Sequence, residues 1–168
     1  MSTETQEMPG PTKAQTEHEW LKKLVGNWTI ASEMVMGPDQ PIQSATGKET
    51  VIMLGDLWAT GEGESYFEDG STMLYRTGLG YDVSFKQYRG FWIASMSSHL
   101  WKYECELSAD GKTMTMNCVG PNMMVDGETA NYRDVIEIIS DTQRTLTSYG
   151  QDDKGEWTQF MKATYTKQ

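Results

Sequence analysis

Residues 91–101 read FWIASMSSHLW, a stretch holding two of the six tryptophans and one of the two histidines. Phe91, Trp92, Ile93, Ala94 and Met96 have the composition of a strand, and Ser97-Ser98 reads as a turn. On the return, His99, Trp101, Tyr103, Cys105 and Leu107 occupy alternate positions, and Lys102, Glu104 and Glu106 define the wet face. A period of two sets an imidazole, an indole, a phenol and a thiol on one inward face of a hairpin. We read that face as part of the wall of a cavity. Periodicity alone leaves open whether Phe91 or Trp92 points inward.

The next turn extends the argument. Asp110-Gly111 is a hairpin signal, and a loop centred there sets Leu107 opposite Met114 and Cys105 opposite Met116. Cys118 then falls opposite Tyr103, so the two cysteines are diagonal neighbours. Diagonal Cβ atoms lie somewhat under about 7–8 Å apart, whereas a disulfide needs about 3.8 Å. Two free thiols are expected.

On the N-terminal side, Met73, Tyr75, Thr77, Leu79 and Tyr81 share a strand face, preceded by a turn at Glu68-Asp69-Gly70. The strand before it has two unlike faces. One carries Trp58, Thr60, Glu62, Glu64 and Tyr66; the other is small, with Ala59, Gly61, Gly63 and Ser65. Glycines inside a strand mark bends or close backbone approach, and a corner of the sheet is the expectation here. Strands over 44–54 and from Trp28 to Met36 precede these. Before them, Thr16 and Glu19 have capping-box spacing, Trp20, Leu21 and Leu24 form an apolar stripe, and Gly26 can stop a short helix. Such a helix must dock its stripe, and a barrel end is the obvious dock. Residues 1–15, polar and carrying Pro9, Gly10 and Pro11, read as a disordered tail ahead of one domain over 16–168.

On the C-terminal side, GPNMMVDG (120–127) is a loop exposing Met123, Met124 and Val125 unless they fold over an opening. Three closing strands follow, at about 130–139, 145–150 and 157–167. About ten strands separated by turns every 8–12 residues or so define an all-β chain. Long strands with short connections favour an antiparallel up-and-down barrel over a sandwich, because closure removes exposed edges. Barrels of this size either fill with side chains or enclose one small ligand.

With 168 residues and a formal net charge of −10, the chain suits one domain and lacks the basic surface that nucleic acid or anionic membrane requires. No run approaches the roughly 18 apolar residues of a membrane span. The first residues lack the basic-then-apolar order of a secretory signal, so a cytoplasmic location is expected. Self-association is left open.

Together EHEWLKKLVGNW, VMGP, GDLWATGEGE, LGYD, FWIASMS, LSADGKTMTM, YRDVIEI, RTLTSYGQDDKGEWTQFM and ATYTK resemble the family known as domain of unknown function 1579. The resemblance covers nearly everything from Glu17 to Lys167. It implies a calycin-like, lipocalin-like antiparallel barrel, related in shape to fatty-acid-binding proteins and nitrobindins, and no catalytic residue. Gly26-Asn27-Trp28 after a short helix fits that architecture. Nitrobindin-like barrels hold haem through a histidine on a late strand. Residues 157–167 contain none, so no cofactor is expected.

The candidate ligand-binding residues are Trp28, Trp58, Trp92, Met96, His99, Trp101, Tyr103, Cys105, Met116 and Arg133. His99 could contact a polar head group, and Arg133 beside Tyr132 has the chemistry that grips a carboxylate. Glu62 and Glu64, about 6.6 Å apart along a strand, more simply form a solvated or arginine-paired face. Neither a nucleophile elbow nor a phosphate-binding glycine pattern occurs, and His18, Cys105 and Cys118 lack the spacing of a metal site. A small, largely apolar ligand inside the barrel is the leading expectation. The alternatives are a filled barrel that binds proteins through its acidic exterior, and an isomerase or hydrolase using His99 and a carboxylate.

Overall fold

The alternation read from the sequence is realised in ten antiparallel strands, each paired with its sequence neighbours, with the first closing on the last. The computed structural model describes residues 8–168, so the first seven residues of the expected tail lie outside the described residues. The strands are β1 (Gly26–Met34), β2 (Gln43–Leu54), β3 (Trp58–Phe67), β4 (Thr72–Asp82) and β5 (Gln87–Ala94). The circuit continues through β6 (Ser97–Leu107), β7 (Thr113–Pro121), β8 (Thr129–Ser140), β9 (Gln143–Gln151) and β10 (Trp157–Lys167). No helix among the described residues is long and apolar enough to cross a membrane.

The β6–β7 register is the one the Asp110-Gly111 turn predicts, with Leu107 opposite Met114 and Cys105 opposite Met116. Gly111 takes φ 70°, and Asp110 Oδ1 accepts from the Lys112 amide at 3.0 Å. Both cysteines are buried and free. The β5–β6 turn is displaced from Ser97-Ser98 to Ser95-Met96. Ser95 is held to β4 in both directions: its amide donates to Leu74 O, and its hydroxyl accepts from the Leu74 amide. Ser97 and Ser98 therefore open β6.

Before β1, Thr16–Leu24 forms a 3-10 helix that closes one end of the barrel. Its start is set by Gln15 and His18 instead of Thr16 and Glu19: His18 Nδ1 accepts from the Gln15 amide at 2.9 Å. The expected stripe is buried, with Leu21 at 0% exposure. Three polar contacts pin it down. Trp20 Nε1 donates to Gly111 O, Trp28 Nε1 donates to Leu24 O, and Tyr88 Oη donates to Glu17 O.

The glycine-rich face of β3 has a different cause from the corner expected. The strand pairs with β2 and β4 without a register shift. Ala59, Gly61 and Gly63 face inward, and a Cβ on Gly63 would fall on the Tyr75 ring and one on Gly61 on Thr77. These glycines are the space into which β4 side chains lean.

Loops 35–42, 68–71, 95–96, 122–128 and 152–156 rim the other end. The loop 122–128 is anchored by Tyr132, whose hydroxyl donates to Pro121 O and accepts from the Met123 amide. From it Met124 reaches the turn at Gly37 on the far side of β9 and β10.

Candidate functional site

Two polar clusters lie inside an otherwise largely apolar and aromatic barrel. In the first, Arg144 of β9 reaches across to Glu49 of β2, Nη2 to Oε1 at 2.5 Å, with both side chains only 5% exposed. The guanidinium passes over Tyr165, 3.9 Å from its centroid, and lies 4.8 Å from that of Trp28. Tyr75 Oη donates to the other oxygen of Glu49 at 2.8 Å. Arg144 Nε has no partner among the described residues. The arrangement is a closed ion pair, with its charges spent on each other.

In the second, Asp134 of β8 accepts from Tyr103 Oη at 2.6 Å and from Ser148 Oγ at 2.5 Å. Burial pushes its carboxyl above the ordinary value, and the two hydroxyl bonds oppose that shift. Tyr103 is driven well above its usual range by burial and then by Asp134. Burial, followed by Asp134, pushes the Cys118 thiol up to about 12, and Cys105 is raised further. Asp134 is half-buried, although its register neighbours Met116 and Ser148 and its partner Tyr103 are buried.

Between this level and the mouth the inward side chains are aromatic. Trp101 meets Tyr132 edge to face at 5.2 Å, Tyr132 meets Phe160 at 6.2 Å, and Trp92 lies 6.0 Å from Tyr75. Trp92, Trp101 and Phe160 are each half-buried. The wall here has a seam. The β6–β7 ladder covers only Glu104–Leu107 against Met114–Asn117 and stops below the mouth. Across the unpaired part, His99 Nε2 sits 3.1 Å from Val119 O and its ring packs on Trp101 at 4.8 Å. Trp101 in turn covers the place where Gly120 lacks a side chain.

Of the residues picked from sequence, Trp28, Trp92, Trp101, Tyr103, Cys105 and Met116 face the interior, with His99 at the seam. Three do not. Trp58 lies on the outer face, 39% exposed, over Gly80 and beside a groove formed with Pro11–Ala14. Met96 is in the β5–β6 turn, 56% exposed. Arg133 points outward, bonded to Asn117 and stacked 4.1 Å over Trp157. Pleating forces this last result, because Tyr132 beside it faces in. Glu62 and Glu64 are outside as well, paired with Arg76 and Lys48.

Sequence reasoning missed Glu49, Tyr75, Asp134, Arg144 and Ser148 as site residues. Parity held the signal for two: Tyr132, Asp134, Ile136 and Ile138 share one face, as do Gly47, Glu49, Val51 and Met53. Arg144 lies outside the expected strand because β9 begins at Gln143, two residues before the expected start at 145. Among the described residues, no three His, Cys, Asp or Glu side chains are grouped to hold a metal ion.

The family model described as "Protein of unknown function (DUF1579)" matches residues 13–167. The chain belongs to the DUF1579 family. No curated protein matches it. Among solved structures, the S-type phycobiliprotein lyase CPES from Guillardia theta is similar in fold, with a TM-score of 0.61 at 11% identity, covering 92% of this chain and 93% of that one. The protein EF1p2_mFAP2b bound to DFHBI matches with a TM-score of 0.48 at 12% identity, over 90% of this chain and 98% of that one. The redesigned β-barrel mFAP1 bound to DFHBI matches at 0.46 and 13%, over 88% and 97%. At these identities the likeness is one of fold: this DUF1579 protein is a closed antiparallel barrel.

Proposed function

We propose that this DUF1579 protein holds one small, largely apolar molecule inside its barrel, between Asp134 and the open end. The observation that carries this reading is Asp134 itself, a carboxyl that stays half-buried among buried neighbours. Half-buried Trp92, Trp101 and Phe160 above it supply an apolar wall, and a few convergent polar groups in such a wall are what ligand sites generally contain. The helix seals one end, so entry is from the loop-rimmed end or through the His99 seam.

The test is titration of the chain with the neutral dye N-phenyl-1-naphthylamine, read by energy transfer from tryptophan. Saturation at about one dye per barrel is expected, with transfer weakened when Trp92 and Trp101 are both replaced by Phe. Absence of saturable transfer, or transfer indifferent to those two indoles, overturns the reading.

A further inference from the structure

Resting on that reading, we infer that the interior selects a protonated apolar amine, with its ammonium on Asp134 and its hydrocarbon against the aromatic side chains near the mouth. The first argument is charge balance. Three charged side chains meet in the two interior clusters: Glu49, Arg144 and Asp134. The guanidinium is already matched by Glu49. Among the described residues, Asp134 receives two neutral hydroxyls and no cation. Lys167, the other inward-side cation, stands at the helix-closed end beside Gly26 and Trp28. A carboxylate ligand would therefore enter a space with no free positive charge and one carboxyl too many. An ammonium would supply the missing partner, and a buried charge is tolerated when paired and hydrogen-bonded.

The second argument is independent and concerns the approach. Loops 35–42, 68–71, 122–128 and 152–156 carry eight carboxylates against a single cation, Lys154. The helix-closed end has no such imbalance, since its helix and turns mix Lys13, Lys22, Lys23, Lys86 and Lys112 with a similar number of acids. The −10 net charge is thus concentrated around the entrance, where it draws cations in and turns anions away. The third is the wall. Trp92, Trp101 and Phe160 offer π-systems, and aromatic faces attract ammonium groups while also packing an alkyl chain. The commonest alternative for such a barrel, an arginine–tyrosine grip on a fatty acid, meets an arginine already occupied by Glu49.

The experiment holds the hydrocarbon constant and changes the head. Octylammonium, octanol and octanoate are each used to displace N-phenyl-1-naphthylamine from the full chain at neutral pH and physiological salt. Octylammonium should displace at least about tenfold better than octanoate, with octanol between them. In Asp134→Asn the advantage of octylammonium over octanol and octanoate should collapse. Octanoate displacing as well as octylammonium overturns the inference while leaving dye binding, and hence the ligand-site reading, intact. An undiminished preference in Asp134→Asn also overturns it, because attraction to the acidic loops alone would then explain the order. Should that variant fail to fold, the wild-type ranking repeated at about 1 M NaCl decides the matter: a preference for octylammonium that survives screening of the loops is set inside the barrel, and one that vanishes overturns the inference. If the dye itself shows no saturable binding, the ligand-site reading falls first.

Discussion

At Asp134 the barrel sets a carboxyl between the Tyr103 and Ser148 hydroxyls, with Cys105, Cys118 and Tyr165 as the other titratable groups that feel its charge. Its folded pKa lies above the ordinary aspartate value, chiefly through burial. Between the unfolded and folded values the native chain binds more protons, so this group's contribution to stability falls as pH rises through that window. Asp134→Asn should accordingly be more stable than wild type at neutral pH. The gain should fade as pH drops toward the unfolded value, in urea unfolding run at both pH values. Glu49 behaves in the opposite way on truncation. Glu49→Ala strands Arg144 as an unpaired buried cation, which should cost about 3–5 kcal/mol. The double change Glu49→Gln with Arg144→Met should cost less than the sum of the two singles, in a double-mutant cycle of urea midpoints.

At the level of elements, β3 and the β6–β7 seam behave unlike ordinary strands. Gly63→Ala places a methyl on the Tyr75 ring, whose hydroxyl is committed to Glu49. Overpacking of that kind costs about 1–3 kcal/mol, and the loss should appear as a lower urea midpoint with an unchanged slope. The seam is different, because it is already unladdered above Glu104 and Asn117. His99→Ala removes the side-chain bridge to Val119 O and should change global stability by less than about 1 kcal/mol. Amide exchange in the mouth-proximal halves of β6 and β7 should nonetheless quicken, since local openings there become easier. Equal exchange in the two proteins would mean that Trp101 alone closes the seam.

For the whole molecule, one end is sealed by packing and the other is rimmed by charge. Trp20 is 6% exposed and bonded to Gly111 O, so Trp20→Ala should cost about 3–5 kcal/mol by thermal or urea unfolding. Strand number, order, closure and the capping helix were legible in the sequence, because period-two alternation, turn dipeptides and an apolar helical stripe are local signals. The β6–β7 register was legible too, since Asp110-Gly111 fixes it within a few residues. Local signals stop at the direction in which a strand faces. Trp58 and Arg133 were assigned to the pocket by residue type, yet the pleat turns each outward. Glu49 and Arg144 come from strands at opposite ends of the chain, 95 residues apart, and become neighbours only when β1 closes on β10. Tyr103, Asp134 and Ser148 likewise meet only inside the closed barrel, drawn from β6, β8 and β9. The sequence by itself determined the barrel, because alternation and turns act between residues close along the chain. Tertiary structure alone decided which polar side chains share the interior and which charge among them goes unmatched, because those contacts form across the lumen after closure.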